Sequence, residues 1–441
     1  MKKKRKFLVK INQTKAINAL ILCYFAENLQ AMFRWIFFFL FVAIIEVYAF
    51  QAFRTITKSR WILIAYQVIS LVAVIYIFYQ LSQFDRRVGQ NSKTLITFGL
   101  LLLLFVPKMI LTFFLLLEDV YRIFSGIITH FMGDNDNGTF LPDRRRFVSQ
   151  VALVIAAIPF TSLLYGMTKG KYNFRVIKQT LFFPDLPDDF DGFTITQISD
   201  VHSGSFDDPE KIQHAIDLIN EHKTDMMLFT GDIVNTHATE MHPWIETFNK
   251  IDNHEFGKFA VLGNHDYGEY IEWPSQAAKE ENFEGIKKLY GDIGFDLLLN
   301  QHTKIKKGES EIAIVGVENW GKNFKQAGDL QKASEGLTAE DFKILMSHDP
   351  SHWEYEVKNH DKHFQLTLSG HTHGLQFGIE IPGIIQWSPV QYVYKQWAGL
   401  YENVGRYIYV NRGLGFHAYP GRVGIWPEIT VFELKKGENV A

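Results

Sequence analysis

The stretch Phe193-Thr194-Ile195-Thr196-Gln197-Ile198-Ser199-Asp200-Val201-His202-Ser203-Gly204 decides how this chain is read. Its first half alternates apolar and polar side chains, as a strand with one buried face does, and the alternation stops at a loop carrying a carboxylate and an imidazole. On an extended backbone residues two apart share a face, so Asp200 and His202 are expected to reach one cation together. One such pair is weak evidence, because polar loops commonly follow strands. The same order, an apolar run and then a candidate ligand, recurs four times downstream. Residues 226–229 lead into Thr230-Gly231-Asp232, 259–262 into Gly263-Asn264-His265-Asp266, 342–346 into Ser347-His348-Asp349, and 364–368 into Ser369-Gly370-His371-Thr372-His373-Gly374. Helical patterns lie between them, such as Asp208-Pro209 followed by Ile212, Ile216 and Ile219, so the region is expected to alternate α and β. Open α/β sheets gather ligands at the carboxyl ends of their strands, which would bring five loops to one place. Two carboxylates, an amide oxygen and several imidazoles suit two divalent ions of the Mn, Fe or Zn type, and a single cysteine, Cys23, excludes a thiolate cluster.

Outward from that region the chain changes character. Of its 16 histidines only His130 precedes residue 200. Before it, residues 35–53, 61–81, 95–117 and 147–165 are four mostly apolar segments, each long enough to cross the hydrocarbon core as a helix. Glu46 and Lys108 lie well inside such segments, where charge is costly, and are expected to pair with each other or to line a polar interior, a structural ion pair or snorkelling being preferred over a transport role. Residues 118–132 read as a separate interfacial amphipathic segment. The predicted organisation is a basic N-terminal extension over 1–31, with Met32 an alternative start, a four-helix transmembrane region over 32–168, a polar linker over 169–190 and a catalytic domain over 191–441. A formal net charge of -3, with no basic face interleaved with aromatics, argues against nucleic acid as a partner.

The blocks D-x-H, G-D, G-N-H-D, a lone H and G-H-x-H, in that order from Asp200 to His373, resemble the calcineurin-like metallophosphoesterase family, and with the membrane segments its YkuE/YaeI-like subgroup. The resemblance implies a four-layer α/β/β/α sandwich and a two-metal phosphoesterase. Asp200, His202 and His373 would hold one metal, Asn264, His348 and His371 the other, and Asp232 would bridge them. His265 would serve as general acid, with Asp266 holding its imidazole in orientation. Arg412 and Arg422 are candidate phosphate contacts, and the remaining histidines, His417 among them, are expected at the surface or in loops. The substrate class is a phosphoester or pyrophosphate, lipid-linked or another envelope component, with membrane lipids as neighbours. A catalytically silent sensor or binding module on the same fold is the rival reading, and it would be expected to show a broken ligand set. The location expected is a bacterial inner membrane, with the catalytic domain on the extracytoplasmic side. Arg144-Arg145-Arg146-Phe147-Val148 resembles an internal twin-arginine signal, whereas the basic 1–10 segment favours a cytoplasmic domain.

Overall fold

The contacts among the described residues divide the chain into two compact units, one within 33–72 and 103–160, the other within 73–102 and 161–438. The computed structural model describes residues 33, 36–131, 142–381 and 383–438. The expected extension 1–31 and its alternative start lie outside them.

Among the described residues four helices are long and apolar enough to cross a membrane: α1 (Ile36–Phe53), α2 (Arg60–Ser82), α3 (Ser92–Phe131) and α4 (Pro142–Thr168). In the first unit their packing is carried by small residues with a few leucines, Ala49, Ala52, Leu111, Leu115, Ala152 and Ala156. In lipid, where apolar burial gives helices no reason to associate, close approach of small residues does. Lys108 Nζ meets Glu46 Oε1 at 2.6 Å and Ser70 Oγ at 2.5 Å, so of the arrangements open from the sequence the ion pair is the one observed. The separate amphipathic segment is not observed. No breaker follows residue 117, and α3 runs on to Phe131 with Glu118 engaged by Arg145 at 2.5 Å. Arg145 also meets Asp119 at 2.7 Å, and Arg144 lies 4.0 Å over the Tyr121 ring, so both are taken up in the fold.

The second unit contains two six-stranded sheets. The first runs β1 (Arg175–Phe183), β14 (Glu428–Lys436), β2 (Thr194–Ile198), β3 (Met226–Phe229), β4 (Lys258–Ala260) and β5 (Asp296–Leu297). The second runs β12 (Gly399–Asn403), β13 (Arg406–Val410), β9 (Leu366–Ser369), β8 (Lys343–Met346), β7 (Ser310–Gly316) and β6 (Gln301–Lys307). A two-stranded hairpin, β10 (Ile379–Ile381) with β11 (Ile385–Trp387), stands apart. Strands β2 to β5 are parallel, as are β7, β8, β9 and β13, so their carboxyl ends lie on one side of each sheet.

Alternation decides the layers. Ile195, Met226, Leu228 and Phe259 point to an inner core shared with Ile314, Ile344, Leu366 and Tyr409 of the other sheet. Their neighbours Ile198, Met227 and Phe229 face the outer side, against Ile212, Ile216, Ile286 and Leu289 of the helices Pro209–Asn220 and Gln276–Asp292. On the far side Val315, Leu345 and Ile408 pack under Leu330, Trp353 and Phe364. The result is the four-layer α/β/β/α sandwich. The expected 169–190 linker is corrected: its residues 175–183 are strand β1, paired in parallel with β14 along its full length. β1 is an edge strand whose first half is half-exposed, so its side chains read as polar and irregular.

Candidate metal centre

Five of the seven expected metal ligands lie in loops that directly follow β2, β3 and β9, and the backbone there is unusual. Asp200, His202, Asp232, His371 and His373 all have φ between 47° and 73°, the left-handed region that non-glycine residues seldom occupy. Sequence alternation suggested that Asp200 and His202 converge on an extended backbone; the structure corrects this. The chain coils at each ligand loop, and this turning aims the side chains inward. Strain of this kind survives only where surrounding contacts fix it. Those contacts are tight: a Cβ on Gly263 would sit 2.1 Å from Asp232 Oδ1, and one on Gly370 would sit 2.2 Å from Asp200 Oδ2.

The seven residues meet as two donor sets. In one, Asp200 Oδ1 lies 3.1 Å from His373 Nε2, and His202 Nε2 lies 3.0 Å from the same nitrogen. In the other, Asn264 Oδ1 lies 2.7 Å from His371 Nδ1 and 3.2 Å from His348 Nε2. Asp232 Oδ2 stands between them, 3.6 Å from His202 Nε2 and 3.2 Å from His348 Nε2. Asp200, His202, Asp232 and His348 are buried almost completely.

The donor chemistry fits divalent cations. Asn264 Nδ2 donates to Tyr270 at 2.6 Å, which turns its carbonyl oxygen toward the imidazoles. His348 Nδ1 lies 2.7 Å from the Thr230 carbonyl, which can only accept, so Nδ1 carries the proton and Nε2 offers its lone pair. His371 Nε2 contacts the Tyr394 hydroxyl at 2.8 Å, which leaves Nδ1 directed at Asn264 Oδ1. Buried lone pairs that face one another without protons to share are costly unless a cation lies between them. Burial opposes charge on His348, but the carboxylates of Asp232 and Asp200 outweigh it and lift its pKa to about 10, so that without a cation a proton takes the place on Nε2 beside Asp232, and a metal binding there must displace it. Burial and the nearby imidazoles of His265, His373 and His417 hold His202 well below its ordinary value. The chain's buried His/Asp groups thus form a binuclear divalent metal site.

His265 stands at the edge of this set, with its backbone N–H on Asp232 Oδ1 at 2.8 Å and its Nδ1 2.7 Å from the Asn235 carbonyl. That carbonyl fixes the tautomer and leaves Nε2 facing the cleft. The expected role of Asp266 is therefore corrected. Its carboxylate, in the short helical turn His265–Tyr267, points into the core and accepts from the amides of Asp232, Ile233 and Gly263 and from the Tyr290 hydroxyl, all within 3.1 Å. It holds two ligand loops together rather than the imidazole. Burial, then the neighbouring Asp232, push its pKa up.

Neither arginine reaches the cleft. Arg412 is paired with Glu428 at 2.5 Å and with Glu380. Arg422 is fully buried, donating to the Gly413 and Gly415 carbonyls and lying 3.0 Å from His373 Nδ1. Both corrections have one cause, that each guanidinium is captured before the cleft, Arg412 by carboxylates of β10 and β14 and Arg422 by carbonyls of its own loop. In their place the structure supplies His417, whose ring is 4.5 Å from that of His265 and 5.1 Å from that of His202. No motif contains it; the left-handed turn at Ala418 beyond it is visible only in three dimensions.

The centre opens into a cleft of about 680 Å³. His265, His417 and Tyr270 form its polar floor, while Phe84 and Phe98, from the connection between α2 and α3 and the start of α3, and Leu375 and Val393 form apolar walls. Gln90 ties that connection to the loop beyond His417 by accepting from Ala418 N at 2.9 Å.

Residues 33–171 match the family model of a calcineurin-like phosphoesterase transmembrane domain, and residues 193–375 match that of a calcineurin-like phosphoesterase. The metallophosphoesterase YkuE of Bacillus subtilis is 35% identical over 299 residues, covering 66% of this chain and 97% of its own. Phosphodiesterase YaeI of Escherichia coli is 29% identical over 298 residues, covering 66% of this chain and 98% of its own. A zebrafish (Danio rerio) transmembrane protein with metallophosphoesterase domain is 26% identical over 65% of this chain and 62% of its own.

Proposed function

The chain belongs to the calcineurin-like metallophosphoesterase family, and we propose that this multi-pass membrane protein hydrolyses a phosphodiester of a membrane-resident amphiphile at its binuclear centre. The observation that carries the reading is the Asp232 carboxylate oxygen standing between two complete donor sets at the foot of a cleft with apolar walls. Asp200, His202 and His373 would hold one ion of the Mn, Fe or Zn type, Asn264, His348 and His371 the other. Bound there, divalent ions would supply Lewis acidity to a phosphoryl oxygen and to water. His265 protonates the leaving oxygen through Nε2, its imidazole held by the Asn235 carbonyl. Phe84, Phe98, Leu375 and Val393 take the apolar part of the substrate and keep water from it. The printed name of YaeI supports a diester over a monoester. The membrane is a bacterial inner membrane with the catalytic domain on its extracytoplasmic face, a reading supported by the basic run Arg144–Arg146 at the opposite end of α4.

The test is hydrolysis by the full chain in detergent with added Mn²⁺, using a lipid phosphodiester in micelles and a soluble aryl phosphodiester. Turnover of both, lost in Asp232→Asn, is expected; a metal-loaded protein that turns over neither would overturn the reading. A reporter active only in the cytoplasm, fused after Ala441, is expected to stay silent, and strong signal would reverse the orientation.

A further inference from the structure

Eight of the thirteen exposed large apolar side chains described after residue 168 fall between Leu375 and Val393. Ile384 is 80% exposed, Tyr392 78% and Val393 71%. The one charge in that stretch, Glu380, is neutralised by Arg412. An apolar surface concentrated in this way marks a partner.

We propose that the β10–β11 hairpin, with the turn over 389–393, is seated in the interfacial layer of the bilayer that the chain's own helices span. Three observations select lipid as the occupant. The hairpin is attached to a segment that packs on the end of α4. Gly378 N donates to the Val423 carbonyl at 2.9 Å, Arg422 N to the Gly166 carbonyl at 3.3 Å, and Tyr419 OH to the Leu163 carbonyl at 2.7 Å. Beside it Trp426 stands edge-on to Tyr165, 6.0 Å between centroids, an aromatic pair of the kind found at membrane–water boundaries. A groove of about 960 Å³ between β1 and the hairpin has Arg175 and Lys178 along one side and Ile381, Ile384 and Leu400 along the other, which matches an anionic headgroup above an acyl layer. Finally, Leu375, Val390 and Val393 of the same stretch line the catalytic cleft, so the seated hairpin brings the mouth of the cleft to the lipid. This inference concerns where the domain sits and holds whether or not the substrate is a lipid.

The experiment uses the full chain, with Cys23→Ser, in nanodiscs of phosphatidylethanolamine and phosphatidylglycerol. An environment-sensitive dye is attached at Ile384→Cys or at the control Glu309→Cys, an exposed residue in the β6–β7 turn. The Ile384 dye is expected to be blue-shifted relative to the control, quenched by a lipid-borne nitroxide and shielded from aqueous iodide. Iodide access equal to that of the control would overturn the proposal. So would shielding from both quenchers that weakens on dilution, which would mean that a second copy covers the hairpin. Because the readout is dye position, failure here and failure of the phosphoesterase reading are distinguishable.

Discussion

The membrane unit and the catalytic centre both bury charge, and they settle it differently. In the membrane unit every partner is supplied by the chain: Lys108 has Glu46 and Ser70, while Arg145 has Glu118, Asp119 and the Gln51 side chain at 2.7 Å. Such a cluster is closed. In the catalytic centre Asp200, Asp232 and Asn264 present oxygens to the inner nitrogens of four imidazoles, a buried cluster of acceptors that only protons or cations between them can settle. The lesson is that burial of polar groups does not itself mark a functional site; burial with donors left to face one another does.

Four substitutions press on that contrast, the first with the largest expected effect. Asp232→Asn removes the one oxygen shared by both donor sets, and activity should fall by well over the roughly 100-fold carried by outer-shell partners, with metal content falling alongside. Retention of both metals and rate would place the centre elsewhere. His265→Ala should keep the metals and lose on the order of 10² to 10⁴ in rate, a loss that shrinks for substrates with good leaving groups. Equal loss across leaving groups would remove it as the acid. Asp266→Asn separates positioning from proton transfer. With its carboxylate weakened as the clasp of the 232 and 263 loops, metal affinity should drop about 10- to 100-fold while leaving-group dependence stays that of the parent. A leaving-group profile like that of His265→Ala would restore the imidazole-orienting role. Last, Glu46→Gln should cost about 3–5 kcal/mol of membrane-unit stability by stranding Lys108, and Glu46→Gln with Lys108→Met should recover most of it. Neither should change turnover per folded molecule, and a change in metal content would blur the contrast.

The ligand blocks were legible because metal chemistry fixes residue type and the sheet fixes order: Asp200, Asp232, Asn264, His348 and His373 each follow a run whose alternation announces a strand. Side-chain direction was not legible. Asp266 adjoins His265 in sequence, yet the helical turn between them sends one toward the cleft and the other into the core. Arg412 and Arg422 sit in a loop near the centre, but Glu428 and the Gly415 carbonyl capture them first, and neither partner is adjacent in sequence. His417 enters the cleft from the far end of the chain with no spacing to announce it. Strand β1 was hidden by the polarity proper to an edge, and the apolar hairpin at 379–387 by its brevity. Pairing of Glu46 with Lys108 was one of the few resolutions open to intramembrane charge, and the structure shows which of them the chain uses.

The claim that these donors hold two cations is tested most directly by counting them. Full-length protein, loaded with Mn²⁺ in detergent and desalted, should carry two divalent ions per chain by elemental analysis. A chelator should strip them and lower the thermal midpoint of the catalytic domain. A monodisperse, folded preparation that binds none, with a midpoint indifferent to the chelator, would contradict the account.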